Sequence, residues 1–162
     1  MIELIFLDVD GCLTDGKIIY AQNYGEIKEF NVKDGAAIEA WQKLGKKVAI
    51  ITGRTSECVY FRARDLKIDL VYQGISDKLT CAKEILEKLN LDFSQCAAIG
   101  DYYNDMSLLE AVGYSFKPKD AHKALKTDKV LNRKGGNGAV SEMIEILIEH
   151  NNMQAQWDKL WR

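Results

Sequence analysis

Short apolar runs that stop abruptly at polar residues alternate along this chain with stretches of helical period. Leu4-Ile5-Phe6-Leu7 is the first such run and predicts a buried strand over Glu3–Leu7, ending against Asp8. Lys47–Thr52 and Cys96–Ile99 repeat the pattern, and Asp69–Tyr72 and Tyr114–Phe116 read as shorter strands. Between them the period changes. Ile38, Trp41 and Leu44 share one face of a helix for which Asp34 is the expected N-cap and Gly45 the stop. Leu79, Ala82, Ile85, Leu86 and Leu89 make the apolar stripe of a helix over Lys78–Leu89. Further helices are expected from about Ser56 to Leu66, over Met106–Val112 and near Val140–Glu149.

Strands alternating with helices imply an α/β fold, a mainly parallel sheet of Rossmann-like type with helices on both faces. One segment interrupts the alternation. Lys17–Tyr20 and Glu26–Val32 predict a small hairpin insertion turning at Asn23-Tyr24-Gly25, with room for a bulge near Glu29-Phe30. At the other end, Trp157, Leu160 and Trp161 sit at helical spacing in a polar tail over Asn151–Arg162, which should dock as an amphipathic turn. A length of 162 residues suits one domain over 1–162 with a single core.

Parallel sheets of this kind bind ligands at the carboxyl ends of their strands. The residues predicted there are Asp8, Thr52 and Asp101, all polar. Asp8-Val9-Asp10-Gly11 places two carboxylates at one strand end, and Gly11 lets the chain turn sharply. Phosphoryl transfer needs a nucleophile, an acid for the leaving oxygen and a cation against the phosphate oxygens. Asp8 suits the first role and Asp10 the second. Asp8, Asp101 and the Asp10 carbonyl could give Mg²⁺ the oxygen ligands it prefers, with Asp105 one turn into the next helix orienting a bound water. Thr52, the backbone at Gly53 and the ammonium of Lys78 could hold phosphoryl oxygens. Each element has a bland reading alone: a capped turn, acids favouring a helix dipole, a solvated lysine.

Bulk composition changes the picture little. A net charge of −2 with no dense basic block argues against a nucleic-acid partner. No apolar run is long enough to span a bilayer, and the absence of a basic-then-apolar leader before Ile2 leads us to expect a cytoplasmic protein. Cys12, Cys58, Cys81 and Cys96 are scattered without metal-site spacing and read as free thiols.

The ordered series Asp-x-Asp-Gly at Asp8–Gly11, Thr52-Gly53-Arg54, Lys78, and Gly100-Asp101-x-x-x-Asp105 resembles the haloacid dehalogenase superfamily over Ile2 to about Glu149. The resemblance implies Asp8 as nucleophile, Asp10 as general acid/base and Thr52 with Lys78 as the phosphate-binding pair. By the same analogy Asp8, Asp10 (through its carbonyl) and Asp101 ligate magnesium, and Asp105 is the supporting acid. Only the hairpin and one helix fit between Asp8 and Thr52, and only a helix and short strand between Thr52 and Lys78, so no cap domain is expected.

Asp15-Gly16, Phe30–Gly35, Gln73–Lys78 and Lys134–Ala139 look like the capless sugar-acid branch, the 3-deoxy-D-manno-octulosonate 8-phosphate phosphatases and their nonulosonate 9-phosphate relatives. That likeness implies a 2-keto-3-deoxy sugar-acid phosphate substrate, a role in lipopolysaccharide or sialic-acid-like sugar synthesis, and a homotetramer whose neighbouring chain closes each site. Arg54, Arg62, Arg64 and Arg133 are candidates for the substrate carboxylate, since an arginine fork suits it. Gly135, Gly136 and Gly138 suggest a flexible loop near the opening. Tyr102 departs from the branch, where a second acid commonly follows Gly-Asp. Two rivals remain in view: a signalling receiver domain, which would place an Asp where Thr52 stands, and a non-catalytic partner domain, which would have no need of Asp10.

Overall fold

The computed structural model describes residues 1–23 and 25–162; Tyr24, in the predicted turn Asn23-Tyr24-Gly25, lies outside the described residues. Six parallel strands form the main sheet: β1 (Leu4–Leu7), β4 (Lys47–Ile51), β5 (Leu70–Tyr72), β6 (Cys96–Ile99), β7 (Tyr114–Lys117) and β8 (Lys129–Val130). A separate antiparallel hairpin pairs β2 (Ile19–Ala21) with β3 (Gly25–Ile27). In space the main sheet runs β5-β4-β1-β6-β7-β8. The chain leaves β1 for β4 and β5 on one side and later returns to fill β6, β7 and β8 on the other. The topological switch therefore lies at the end of β1, where such sheets bind ligands. Among the described residues there is no cap domain.

Alternation along the strands divides the interior in two. Ile5, Leu7, Val48, Ile50, Ala97 and Ile99 face one cluster. It is completed by Trp41 of α1 (Val32–Lys43), Val59 of α2 (Glu57–Asp65) and Ile144 of α5 (Ala139–His150). Leu4, Phe6, Ala49, Ile51, Cys96 and Ala98 face the other, where Ile85 of α3 (Lys78–Leu89) and Leu109 of α4 (Met106–Ala111) cover them. Period-2 strands buried on both faces thus explain the continuous apolar runs. Both sides of the sheet are thus filled largely by apolar side chains.

Several elements differ from expectation. The helix α1 starts earlier than predicted, with Asn31 as its cap accepting from the Lys33 N–H, so the hairpin ends at Ile27 and the region read as a bulge follows it. Asp34 is no cap: it lies buried in the first turn, where its Oδ1 accepts from the Ser141 N–H of α5 at 2.8 Å. Burial pushes its carboxyl up to about 6, against hydrogen bonds from Ser141 and Gly138 and the charges of Arg133 and Arg62. The strand β8, only two residues long, carries no periodicity that a sequence reading could use. The tail forms α6 (Gln154–Lys159), in which Trp157 is buried while Trp161 stays exposed, edge-on to it at 5.5 Å.

Candidate active site

Strand β1 delivers Asp8 to the switch point, and the chain then winds through a tight turn over Val9–Leu13. Gly11 takes φ +94° in that turn, and a Cβ there would stand 2.1 Å from Asp101 Oδ2. Asp101 follows β6 and leans over this glycine. As a result, ligand atoms of Asp8, Asp101 and the buried Cys12 all lie within 4.8 Å of one another. The two strand-end carboxylates singled out in the sequence do converge.

Lys78, at the first position of α3, is 2% exposed and reaches under both acids of the sheet edge. Its Nζ donates to Asp8 Oδ1 at 2.7 Å and to Asp105 Oδ1 at 2.5 Å. Asp105, also buried, turns its second oxygen to the N–H groups of Asp101 (2.9 Å) and Tyr102 (3.2 Å). Both oxygens of Asp105 are therefore committed to fixing Lys78 and the Asp101 loop. A Cβ on Gly100 would stand 2.4 Å from the Asp105 Cβ, so that glycine is what lets the loop close on it.

The electrostatics of this pocket are unbalanced. Asp8, Asp101 and Asp105 face a single cation, Lys78, among the described contacts. Burial raises the Asp8 carboxyl to about 6 although Lys78 pulls the other way, and burial followed by the charges of Asp8 and Asp105 raises Asp101 to about 7. For Lys78, burial alone would lower the pKa, but Asp8 and Asp105 outweigh it and push the ammonium well up. Burial thus makes the ionised form of both carboxylates costly relative to water. A divalent cation between them would remove that cost, and their hard oxygens suit magnesium. Burial also raises Cys12 well above the ordinary thiol range, so it offers a neutral SH. The donor set thus fits a hard metal held by carboxylates.

Thr52 is buried at the end of β4, its N–H donating to Tyr72 and its carbonyl accepting from Ile75. Gly53 is exposed just beyond it, and a Cβ there would stand 3.9 Å from Asn104 Nδ2, an amide the sequence reading did not single out. Asp10 is only partly in this group. Its backbone belongs to the same turn, but its carboxylate points to the hairpin, where Lys28 Nζ pairs with Oδ1 and Arg54 Nε lies 3.8 Å from Oδ2. Arg54 also donates to Glu26 Oε1 at 2.9 Å. Lys28 and Glu26 went unnoticed in the sequence because a lysine and a glutamate on a short polar hairpin look solvated. Only the tertiary placement of the hairpin over Asp10 distinguishes them.

The other arginines lie elsewhere in this chain. Arg62 donates to the Asn31 carbonyl at 3.2 Å and lies over the Phe30 ring, while Arg133 lies against Gly138; both face the buried Asp34. Arg64 lies over the Phe61 ring. The glycine loop is also not what its composition suggested. Gly135 is buried, the Gly136 N–H donates to the Cys12 carbonyl at 3.0 Å, and a Cβ on Gly135 would stand 1.8 Å from the Gly11 carbonyl oxygen. The loop is a backbone buttress beneath the Asp8 turn. Gly135→Ala should therefore lose stability by about 1–3 kcal/mol, as overpacked sites do, and displace the turn that carries Asp8 and Asp10. Denaturant midpoints and phosphate release on the same sample check it; native values for both would show that the turn yields freely.

Residues 57–144 match the family described as haloacid dehalogenase-like hydrolase. The chain belongs to that family. It is 42% identical to the 3-deoxy-D-manno-octulosonate 8-phosphate phosphatase KdsC of Escherichia coli over 91% of this chain and 79% of that protein. The KdsC of Yersinia pestis is also 42% identical, over 91% of this chain and 80% of its own. Among solved structures, the Moraxella catarrhalis phosphatase in complex with magnesium, phosphate and KDO superposes with a TM-score of 0.93 at 37% identity, covering 98% of this chain and 93% of that one. These likenesses place the chain in the capless sugar-acid branch of the family and make it a phosphoric monoester hydrolase. Among the described residues no helix is long and apolar enough to cross a membrane.

Proposed function

We propose that this chain is a magnesium-dependent phosphatase acting on 3-deoxy-D-manno-octulosonate 8-phosphate through an aspartyl-phosphate on Asp8. The observation that carries the reading is the approach of Asp8 and Asp101 to within 4.8 Å above a buried lysine. The relatives that are phosphatases of that sugar acid support the substrate, and the one whose structure holds magnesium, phosphate and KDO supports the metal.

Burial pushes the Asp8 carboxyl up, but the Lys78 ammonium bonded to it favours the carboxylate form that attacks phosphorus. The bond from phosphorus to the sugar oxygen breaks as the Asp8 oxygen–phosphorus bond forms, and Asp10 gives its proton to the leaving alkoxide. Asp10, now a carboxylate, takes a proton from the water that hydrolyses the acyl phosphate, which restores Asp8 and releases inorganic phosphate. Lys78 and Thr52 hold the transferring group in place. Magnesium, held by Asp8, Asp101 and the Asp10 carbonyl, supplies positive charge against the phosphoryl oxygens. Asp105 fixes both Lys78 and the Asp101 loop rather than offering a free oxygen.

Among the candidate arginines we assign the substrate carboxylate to Arg54, a reading supported by its adjoining Asp10. Ile19, Tyr20, Ile27, Val32, Tyr60 and Phe61 are exposed on and beside the hairpin, which supports a tetramer closed through that surface.

Phosphate release from octulosonate 8-phosphate and from nonulosonate 9-phosphates, compared by kcat/KM, tests the reading. The octulosonate ester should be preferred by at least about tenfold, the scale on which one altered pocket contact discriminates, and chelation should abolish both activities. A reversed preference would assign the chain to the nonulosonate esters. No turnover of either would remove the sugar-acid reading.

A further inference from the structure

The hairpin does more than shield the site. Its strand β3 and the residue after it place Glu26 and Lys28 against the acid/base candidate. The Lys28 side chain is 1% exposed, pairs with Asp10 Oδ1, and lies 3.5 Å from Glu26 Oε1. Glu26 accepts from Arg54 Nη2 at 2.9 Å, and Arg54 Nε is 3.8 Å from Asp10 Oδ2. Four charges of alternating sign thus close a ring: Asp10, Lys28, Glu26, Arg54. The ring is tied to the body of the protein, since Cys58 Sγ of α2 donates to the Glu26 carbonyl at 3.3 Å.

Unlike the pocket around Asp8, this ring is electrically balanced and asks for no metal. Its consequence lies in what it occupies. The arginine fork that should receive the substrate's carboxylate already carries a carboxylate, and the acid/base that should face the leaving oxygen is already held by an ammonium. Both functional groups are engaged internally.

We propose that Glu26 stands in for the substrate carboxylate on Arg54, and that its displacement frees Asp10 through Lys28. The proposal rests on the reading of Arg54 as the carboxylate site. A sugar-acid carboxylate takes the Arg54 fork; Glu26, released, closes its 3.5 Å separation from Lys28; and the ammonium relaxes its hold on Asp10. Ion pairs are exchanged and no bond is made or broken. Binding energy from a remote part of the substrate is thereby spent at the reacting centre, appearing in kcat as well as in KM. A phosphate ester without a carboxylate leaves the ring closed and Asp10 restrained, so Glu26 and Lys28 set specificity without contacting the phosphate.

The test uses the full chain with magnesium and p-nitrophenyl phosphate, an ester without a carboxylate. Glu26→Gln removes the carboxylate that would draw Lys28 away and leaves Asp10 held by both Lys28 and Arg54, so its kcat should stay at or below the native value. Adding millimolar pyruvate, a small 2-keto acid, should activate native turnover of p-nitrophenyl phosphate and leave the Glu26→Gln variant unresponsive. Thermal midpoints and magnesium titration of both proteins report whether the variant is folded, and the pyruvate arm on native protein stands without it. Higher turnover in a folded variant, a variant that pyruvate still activates, or pyruvate that only inhibits native protein, would overturn the proposal. Native turnover of octulosonate 8-phosphate reports separately on the function itself: its absence alone would sink that reading, while the p-nitrophenyl phosphate responses still judge the ring.

Discussion

Asp8→Asn should reduce phosphate release by at least about four orders of magnitude, the scale seen when a covalent nucleophile is removed. At about 1.4 kcal/mol per tenfold, that is ~5 kcal/mol of lost transition-state stabilisation. The amide is nearly isosteric but cannot attack phosphorus, and it also withdraws a charged oxygen from the pair formed with Asp101. Magnesium affinity should therefore fall too, and calorimetric titration separates the two effects: at saturating magnesium the variant should stay inactive. Recovered turnover at high magnesium would show that Asp8 is only a ligand and that another group attacks. Because Lys78 keeps Asp105 as a partner at 2.5 Å, the variant should remain folded.

Lys78→Met should be the most destabilising single change near the site. It leaves Asp8 and Asp105, both buried, without the ammonium that each contacts. Breaking a buried pair by removing one partner costs about 3–5 kcal/mol, because the remaining charge stays in a poorly solvating interior. A methionine fills the volume of the lysine stem, so the loss is electrostatic and not a cavity effect. Urea denaturation without magnesium measures it. Adding magnesium should restore part of the stability, since the cation offsets the same carboxylates, while phosphate release stays at least about a hundredfold below native. A native midpoint would mean that the three acids share protons freely and need no fixed cation.

How much of this was legible beforehand depends on the range of the interactions. Leu4–Leu7 and Cys96–Ile99 were readable as strands because both faces of the sheet are buried, which leaves an uninterrupted apolar run bounded by a carboxylate. The helix α3 was readable to the residue, its stripe being set by local period. The start of α1 was misjudged because Asn31 and Asp34 are both competent caps. What decides between them is Ser141, far along the chain, whose N–H claims the Asp34 carboxylate. The strand β8 depends wholly on pairing with β7.

The sequence by itself determined the alternation of strands and helices, the carboxylates at successive strand ends, and hence the class of chemistry, because these follow from periodicity and from which residues must stop a buried run. Tertiary structure alone decided where the charges go: that Asp105 spends both oxygens on Lys78 and the Asp101 loop, that the glycine loop supports Gly11 from below, and that Glu26 and Lys28 close a ring with Asp10 and Arg54. A side chain's charge is written in the sequence, but its partner is chosen by the burial and separation that only the folded chain creates.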